Sequence, residues 1–290
     1  MDYAVKRPPR HEQLSLRGLD FHLYRWPGTD PSPIILLHGW GDTGETWQFV
    51  VDHLPAVHTF VAFDARGFGR TQWAEDGYWF PDYLADLDAL LDVLVPHAPV
   101  DLIGHSMGGN VAAAYAGARP ERVRRLVNLE GLGLPRTRAD DAPGRYREWL
   151  DEIRDGTRFM AYDSYDQLAQ LLARRNPRTS AIHLNFIARS WAHEANGRIE
   201  LRADPRHKRV NPVLYQRDQL EACWKAITAP VLFVTGSQSE HVRRIADELT
   251  REKLESLFRN LTQVEIADAG HMLHHEQPLA VAELIAEFLR

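Results

Sequence analysis

The sequence predicts an α/β protein with a doubly wound, mostly parallel sheet of eight strands and an inserted helical cap. Three observations support this prediction. Apolar runs of strand length recur along the chain, helical patterns separate them, and the alternation stops over one long charged segment before it resumes. Continuous apolar runs are typical of strands buried on both faces, and their alternation with helices is typical of a parallel sheet.

The first two strands are expected in QLSLRGLDFHLYRW, one on each side of Arg17-Gly18. Between later strands, residues 82–95 repeat leucines at helical spacing between Pro81 and Pro96. Sites in such sheets form beyond the carboxyl ends of the strands, so residues that directly follow the strands are the first candidates for function. Six further strands are predicted in the runs PIILLHG, FVAFDARG, PVDLIGHS, VRRLVNLEG, PVLFVTG and QVEIADAGH.

The alternation breaks over residues 136–210, which are charge-rich, helical in pattern and without a strand-like run. We interpret this segment as a helical cap over the carboxyl edge of the sheet, with residues 1–135 and 211–290 forming the core. The stretch RADPRHKRVNP, residues 202–212, is expected to return the chain to the core. Two independent domains are the weaker interpretation, because strands of the sheet resume afterwards.

Composition narrows the class of partner. The 290 residues carry a formal net charge of −6 with a pI near 6.2, whereas nucleic-acid binding usually requires a basic surface. Cys223 is the only cysteine, so no intrachain disulfide can form. No apolar run approaches the ~20 residues that span a membrane, and MDYAVKRPPRHEQ lacks the apolar centre of a secretory signal. We expect a cytoplasmic protein with a small-molecule substrate and no nucleic-acid or membrane partner; the oligomeric state stays open.

The candidate nucleophile is Ser106 in GHSMGG, which matches G-x-S-x-G between an apolar strand and a helical pattern. On such a turn the serine hydroxyl is exposed and the backbone is strained, and Gly104 and Gly108 leave the space that the turn needs. The N-terminus of the following helix favours developing negative charge. The alternative is that small residues merely pack where a helix crosses a strand.

A serine hydroxyl attacks only when a base removes its proton, and the candidate base is His271 in IADAGHMLHHEQP. His274 and His275 are close in sequence, which raises the possibility of a metal site. Adjacent histidines lack the helical spacing of ligands, and no cysteine or aspartate cluster accompanies them, so we expect no metal and a structural role for both. No organic cofactor is expected either.

The candidate oxyanion hole lies in LLHGWGDTGETW, where His38-Gly39-Trp40 follows an apolar strand. The expected donors are the backbone N–H groups of Trp40 and of Met107, the residue after the candidate nucleophile. The alternative is that this segment is a simple turn. Trp40 and His105 are expected to line the substrate pocket, with Trp40 narrowing its entrance.

Four motifs together resemble the α/β-hydrolase superfamily: LLHGW, FDARGFGRT, GHSMGG and DAGHMLHHEQP, in that order. Within the superfamily the chain resembles the capped serine hydrolases. The stretches HGW with Asp42, NLEGLGLP and RADPRHKRVNP look like those of bacterial members similar to the serine-hydrolase-like proteins. The resemblance implies hydrolysis of an ester-like carbonyl substrate through an acyl-serine. It also implies that Asp64 and Arg66 organise the floor of the site without a catalytic role. A carbon–carbon bond hydrolase with the same triad, and a ligand receptor with little turnover, remain alternatives.

The acid of the triad departs from the pattern of the superfamily. Most relatives carry aspartate where this chain has Ser239, in the loop after PVLFVTG. Glu130 ends the apolar strand RRLVNLEG, a place from which some members, including haloalkane dehalogenases, supply the acid. A buried glutamate requires a partner, and His271 would be one. Glu240 begins a charged run and Asp268 lies on a strand, so Glu130 is favoured over both.

Overall fold

The computed structural model describes residues 2–290. The main sheet has eight strands, in the spatial order β1-β2-β4-β3-β5-β6-β9-β10: β1 (Arg10–Leu16), β2 (Leu19–Trp26), β3 (Pro33–Leu37), β4 (Thr59–Phe63), β5 (Val100–His105), β6 (Val123–Leu129), β9 (Val231–Gly236) and β10 (Leu261–Ile266). Strands β1 and β2 form an antiparallel hairpin, β2 pairs antiparallel with β4, and the remaining pairs of this sheet are parallel. The predicted mostly parallel sheet of eight strands is confirmed.

Helices cover both faces of the sheet, and three of them lie in the segment between β6 and β9. No helix in the stretch from residue 2 to residue 290 combines the length and apolarity needed to cross a membrane. The α-helices are α1 (Gln48–Val51), α2 (Phe80–Leu94), α3 (Met107–Ala118), α4 (Ala142–Asp155), α5 (Tyr165–Arg175), α6 (Ala181–Trp191), α7 (Arg217–Ala226), α8 (Glu240–Arg244), α9 (Arg251–Leu257), α10 (Leu273–Glu276) and α11 (Pro278–Phe288).

The central strands are buried on both faces, which explains why their sequences are continuous apolar runs. Every residue of β3, β4 and β5 is buried, as the continuous apolar runs predict. At the edge, β1 alternates exposed and partly buried residues. The hairpin between β1 and β2 turns at Arg17-Gly18, where both residues have positive φ, 49° and 79°. This is the backbone of a two-residue turn that matches the twist of the flanking strands.

The segment between β6 and β9 is not wholly helical, which corrects the sequence prediction. Besides α4, α5 and α6 it contains an antiparallel hairpin of β7 (Ala192–Ala195) and β8 (Arg198–Leu201). Asn196-Gly197 forms the turn, with φ of 51° and 72°. An Asn-Gly pair is the strongest short sequence signal of such a hairpin, but the strands that flank it here are too short and polar to form a strand-like run.

This segment contacts the loop that follows β3, beyond the carboxyl end of the sheet. The Ser190 and Thr43 hydroxyls are 2.6 Å apart, and the Trp191 indole N–H donates to Asp42 at 2.7 Å. Phe49, from α1, packs into the apolar cluster of the segment, among residues of α5, α6 and β8. These contacts put the segment where a cap would lie, while the boundaries at residues 136 and 210 stay a prediction.

His207 lies in residues 202–212, the linker that returns the chain to the core, and it packs against two aromatic residues of the core. Its ring is stacked between Phe68, with centroids 3.8 Å apart, and Tyr78, with centroids 3.6 Å apart. Next to it, the Asp204 carboxylate accepts a hydrogen bond from the Tyr78 hydroxyl at 2.7 Å. Burial lowers the pKa of His207 to about 4, against a partly opposing charge on Asp204. The imidazole is therefore neutral in the folded protein at neutral pH.

We expect this linker to make the protein sensitive to acid. Below pH 6.5 the His207 side chain takes up a proton in the unfolded chain but not in the folded one until about pH 4. The free energy of unfolding should therefore fall by about 3 kcal/mol more in the wild type than in His207→Phe between pH 7 and pH 4. Urea unfolding at both pH values measures this. The exposed His97→Phe should behave like the wild type; an equal loss in His207→Phe would contradict the expectation.

Candidate active site

Ser106 lies on the turn from β5 into α3, and its backbone is strained. Its φ of 51° and ψ of −115° are unusual for a residue with a side chain. A Cβ on Gly104 would lie 2.4 Å from the Gly108 carbonyl oxygen, and one on Gly108 would lie 2.4 Å from that of Leu37. Only glycine fits at either position, so the turn requires these two residues.

Three of the predicted residues form a continuous line of hydrogen bonds. Ser106 Oγ lies 2.9 Å from His271 Nε2, and His271 Nδ1 lies 2.8 Å from Glu130 Oε2. Because a carboxylate only accepts, the proton of the neutral imidazole is on Nδ1. The lone pair on Nε2 is then free to accept the proton of the serine hydroxyl. This is the arrangement that a base needs to activate a nucleophile.

The Glu130 carboxylate is buried and held by donors on both oxygens. Oε1 accepts from the Gly236 backbone N–H at 2.8 Å, and Oε2 accepts from the Ser239 hydroxyl at 2.6 Å as well as from His271. Glu130 itself has a φ of 56°, so the chain turns sharply where β6 ends. Ser239, in the loop after β9, anchors the glutamate. The sequence did not indicate this role for Ser239.

The two other candidate acids lie away from His271. The Glu240 side chain is 79% exposed and lies 3.9 Å from the Arg244 guanidinium. Asp268 is also exposed, and its backbone N–H donates to the Ser237 hydroxyl. Neither carboxylate contacts the imidazole, so the structure brings only Glu130 to His271.

The two predicted oxyanion donors flank Ser106. Met107 provides the first N–H of α3, and Trp40 follows Gly39, which packs so closely that a Cβ there would lie 3.2 Å from the Ser106 Cβ. Within residues 2–290, neither amide donates to another residue. Both are therefore available to a ligand. The Trp40 side chain is 52% exposed, as expected of a residue at a pocket rim.

His105 is not a lining residue of an open pocket, which corrects the sequence prediction. It is only 1% exposed, because Gly39 and His274 pack against its ring. Its Nε2–H donates to the His271 backbone carbonyl at 2.7 Å. Burial, together with His274 and His271, lowers the pKa of His105 well below its ordinary value. His105 is therefore a neutral support beneath the candidate base.

Asp42 lies at the centre of a buried polar cluster behind this support. Its Oδ1 accepts from the Thr43 N–H, the Thr46 hydroxyl and the Trp191 indole at 2.7–2.8 Å. Its Oδ2 lies 3.3 Å from His274 Nε2 and 3.2 Å from His275 Nε2. The cluster joins the loop after β3, α10 and α6, so it ties the segment above the sheet to the floor of the site.

Three residues of this region lie close enough together to be considered as metal ligands. Asp42, His105 and His274 bring ligand atoms within 4.8 Å of one another, so the expectation that no aspartate accompanies the histidines is wrong. His105 Nε2, however, already lies 2.7 Å from the His271 carbonyl oxygen, and His274 Nε2 lies 3.3 Å from Asp42 Oδ2. The Asp42 carboxylate also accepts from three further donors. The arrangement suits hydrogen bonding better than metal ligation.

Asp64 and Arg66 are buried and make structural contacts. The Asp64 carboxylate accepts from the Gly44 and Arg70 N–H groups at 2.7 and 2.8 Å, and the Arg66 guanidinium is paired with Asp86 at 2.6 Å. Burial raises the pKa of Asp64. These contacts hold the loop after β4 against the loop after β3 and include neither Ser106 nor His271.

Comparison with known proteins agrees with this fold. A family model described as the alpha/beta hydrolase fold matches residues 32–278. Among solved structures, a hypothetical protein from Pseudomonas aeruginosa PAO1 superimposes with a TM-score of 0.84 at 25% identity, over 97% of this chain and 99% of that chain.

Curated relatives extend over most of the chain. A serine hydrolase-like protein of Danio rerio is 27% identical over 282 residues, which cover 91% of this chain and 83% of that protein. A putative 2-succinyl-6-hydroxy-2,4-cyclohexadiene-1-carboxylate synthase of Bacillus subtilis (strain 168) is 30% identical over 276 residues, covering 88% and 89%. The chain therefore belongs to the α/β-hydrolase superfamily and is one of its hydrolases.

Proposed function

We propose that the protein is a serine hydrolase that cleaves a small ester-like carbonyl substrate through an acyl-Ser106 intermediate. The observation that carries this proposal is the line of hydrogen bonds from Ser106 through His271 to Glu130, with distances of 2.9 and 2.8 Å. Carboxylesterase-like chemistry fits because it needs this line and two amide donors, and no other reacting group.

In the first step, His271 Nε2 takes the proton of Ser106 as Oγ bonds to the carbonyl carbon. The carbonyl oxygen becomes an oxyanion, which accepts hydrogen bonds from the Trp40 and Met107 amides. His271 is then an imidazolium, and its charge is balanced by Glu130 at 2.8 Å. Collapse of the oxyanion breaks the bond to the leaving alcohol, which takes the proton from Nε2, and acyl-Ser106 remains.

The second step hydrolyses acyl-Ser106 and regenerates the free enzyme. His271 Nε2 accepts a proton from water as the water oxygen bonds to the acyl carbon, and the same amides hold the second oxyanion. Its collapse breaks the bond to Ser106 Oγ, which recovers the proton, and the carboxylic acid leaves. Every proton in this cycle moves through one nitrogen, so no cofactor is needed.

We expect a fluorophosphonate probe to label the wild-type protein at Ser106 and to leave Ser106→Ala unlabelled. Peptide mapping by mass spectrometry identifies the labelled residue. Rates of hydrolysis are then measured for a panel of chromogenic esters of graded acyl length and for a vinylogous diketone, the substrate of a carbon–carbon bond hydrolase. The comparison identifies which class of bond the protein cleaves. The variant separates Ser106-dependent turnover from background hydrolysis.

Two results would contradict this proposal. An unlabelled Ser106 in a folded protein that still binds ligands would favour the receptor alternative. Turnover of the diketone with none of the esters would favour the carbon–carbon bond hydrolase.

A further inference from the structure

A second histidine ring lies on the face of the candidate base. His241, in the first turn of α8, is stacked on His271 with ring centroids 4.4 Å apart and an interplanar angle of 29°. Its position is set by Ser239, whose hydroxyl accepts from the Val242 N–H at 3.3 Å and donates to Glu130 at 2.6 Å. The Ser239 side chain therefore holds both the Glu130 carboxylate and the backbone of α8 that carries His241.

The line of hydrogen bonds does not hold the His271 ring by itself. The two bonds, to Ser106 and to Glu130, act within the plane of the imidazole, so they oppose only weakly the small side-chain rotations that tilt the ring out of that plane. Contacts on the faces of the ring oppose those rotations, and the stacked His241 provides one of them. His105 contacts the ring at 4.9 Å with a 46° tilt and also holds the His271 backbone.

Burial and the charges around His241 both favour a neutral ring. Burial lowers its pKa, His271 and Arg244 lower it further, and Glu130 opposes them. These groups come from α8, the end of β6 and the loop before α10. A neutral ring does not repel the imidazolium that forms on His271 during the reaction, whereas a cation at this distance would.

We propose that His241 is a positioning residue, whose neutral aromatic face holds the His271 imidazole in line between Ser106 and Glu130. This inference rests on the proposed hydrolase function. It gives His241 no contact with substrate and no share in proton transfer. A planar, uncharged ring is the property that matters, so phenylalanine can replace the histidine whereas alanine and lysine cannot.

The test compares His241→Ala, His241→Phe and His241→Lys with Arg243→Ala, an exposed neighbour on the same helix. We expect alanine to lower kcat roughly tenfold with little change in KM, because the base is less well oriented. Phenylalanine should restore most of the loss, and Arg243→Ala should match the wild type. Lysine should move the acid limb of the kcat/KM profile to lower pH, because a neighbouring cation lowers the pKa of His271. Unchanged kcat in the alanine variant, or equal loss in the phenylalanine variant, would overturn the proposal.

A second measurement does not depend on turnover. NMR titration of the His271 ring should show a lower pKa in His241→Lys than in the wild type and an unchanged pKa in Arg243→Ala. Equal His271 titration in the lysine variant and the wild type would overturn the stacking contact itself. An unlabelled Ser106 together with a shifted His271 titration would instead reject the hydrolase function and retain the contact.

Discussion

Glu130→Gln is expected to lower kcat on any working ester by about 10⁴-fold, with KM little changed. The carboxylate accepts from Gly236, Ser239 and His271, so its surroundings offer donors only. A glutamine turns an N–H toward His271 Nδ1, which then becomes an acceptor, and the imidazole proton moves to Nε2. In that tautomer Nε2 cannot take the proton of Ser106, and no charge balances the imidazolium.

Glu240→Gln is the matched control, because it makes the same chemical change one residue after Ser239 on a side chain that is 79% exposed. We expect this variant to keep the kcat and the pH profile of the wild type. Steady-state kinetics over a range of pH, with circular dichroism to verify folding, compare the two variants. A larger loss in Glu240→Gln than in Glu130→Gln would reject Glu130 as the acid.

The sequence predicted the parts of the fold and of the site that depend on local chain properties. The buried strands follow from continuous apolar runs, and the turn at Ser106 follows from its glycines. The sequence also predicts Glu130, because an acid that ends an apolar strand requires a partner. The structure brings Ser106, His271 and Glu130 together, while their catalytic roles stay predictions.

The contacts that the sequence did not reveal join residues far apart along the chain. Asp42 contacts Trp191 and His274, which are 149 and 232 residues away. His105 was predicted to line the pocket, but two elements pack over it, so its burial depends on the tertiary fold. His241 lies in the charged run that Glu240 begins, and nothing local in that run indicates a contact with His271. No periodicity or local motif encodes such pairs, because they arise only when the loops meet at the edge of the sheet.

Asp42→Ala is expected to lower the free energy of unfolding by about 3 kcal/mol, because it leaves several buried donors without an acceptor. Asp42 is 1% exposed and receives hydrogen bonds from Thr43, Thr46 and Trp191 at 2.7–2.8 Å. Alanine keeps the backbone N–H that donates to the Gly39 carbonyl at 3.2 Å, but it removes the side-chain acceptor for Thr43 and Thr46, which loosens the loop that carries the Trp40 amide. We therefore expect kcat to fall together with stability.

Urea unfolding measures this effect. Asp140→Ala is the control, because it removes the same charge from a side chain that is 88% exposed. Equal urea midpoints for the two variants would show that the cluster contributes little to stability.

The pH dependence of stability gives a second test, with Asp42→Asn as the variant. Burial by itself raises the pKa of Asp42, but His275 and His274 lower it well below its ordinary value of 3.8. The stability that the charge contributes is thus present above pH 3.8 and is lost only as the pH falls through the lower pKa of the folded state. The gap between wild type and Asp42→Asn should consequently stay constant from pH 7 to about pH 4 and close only in stronger acid.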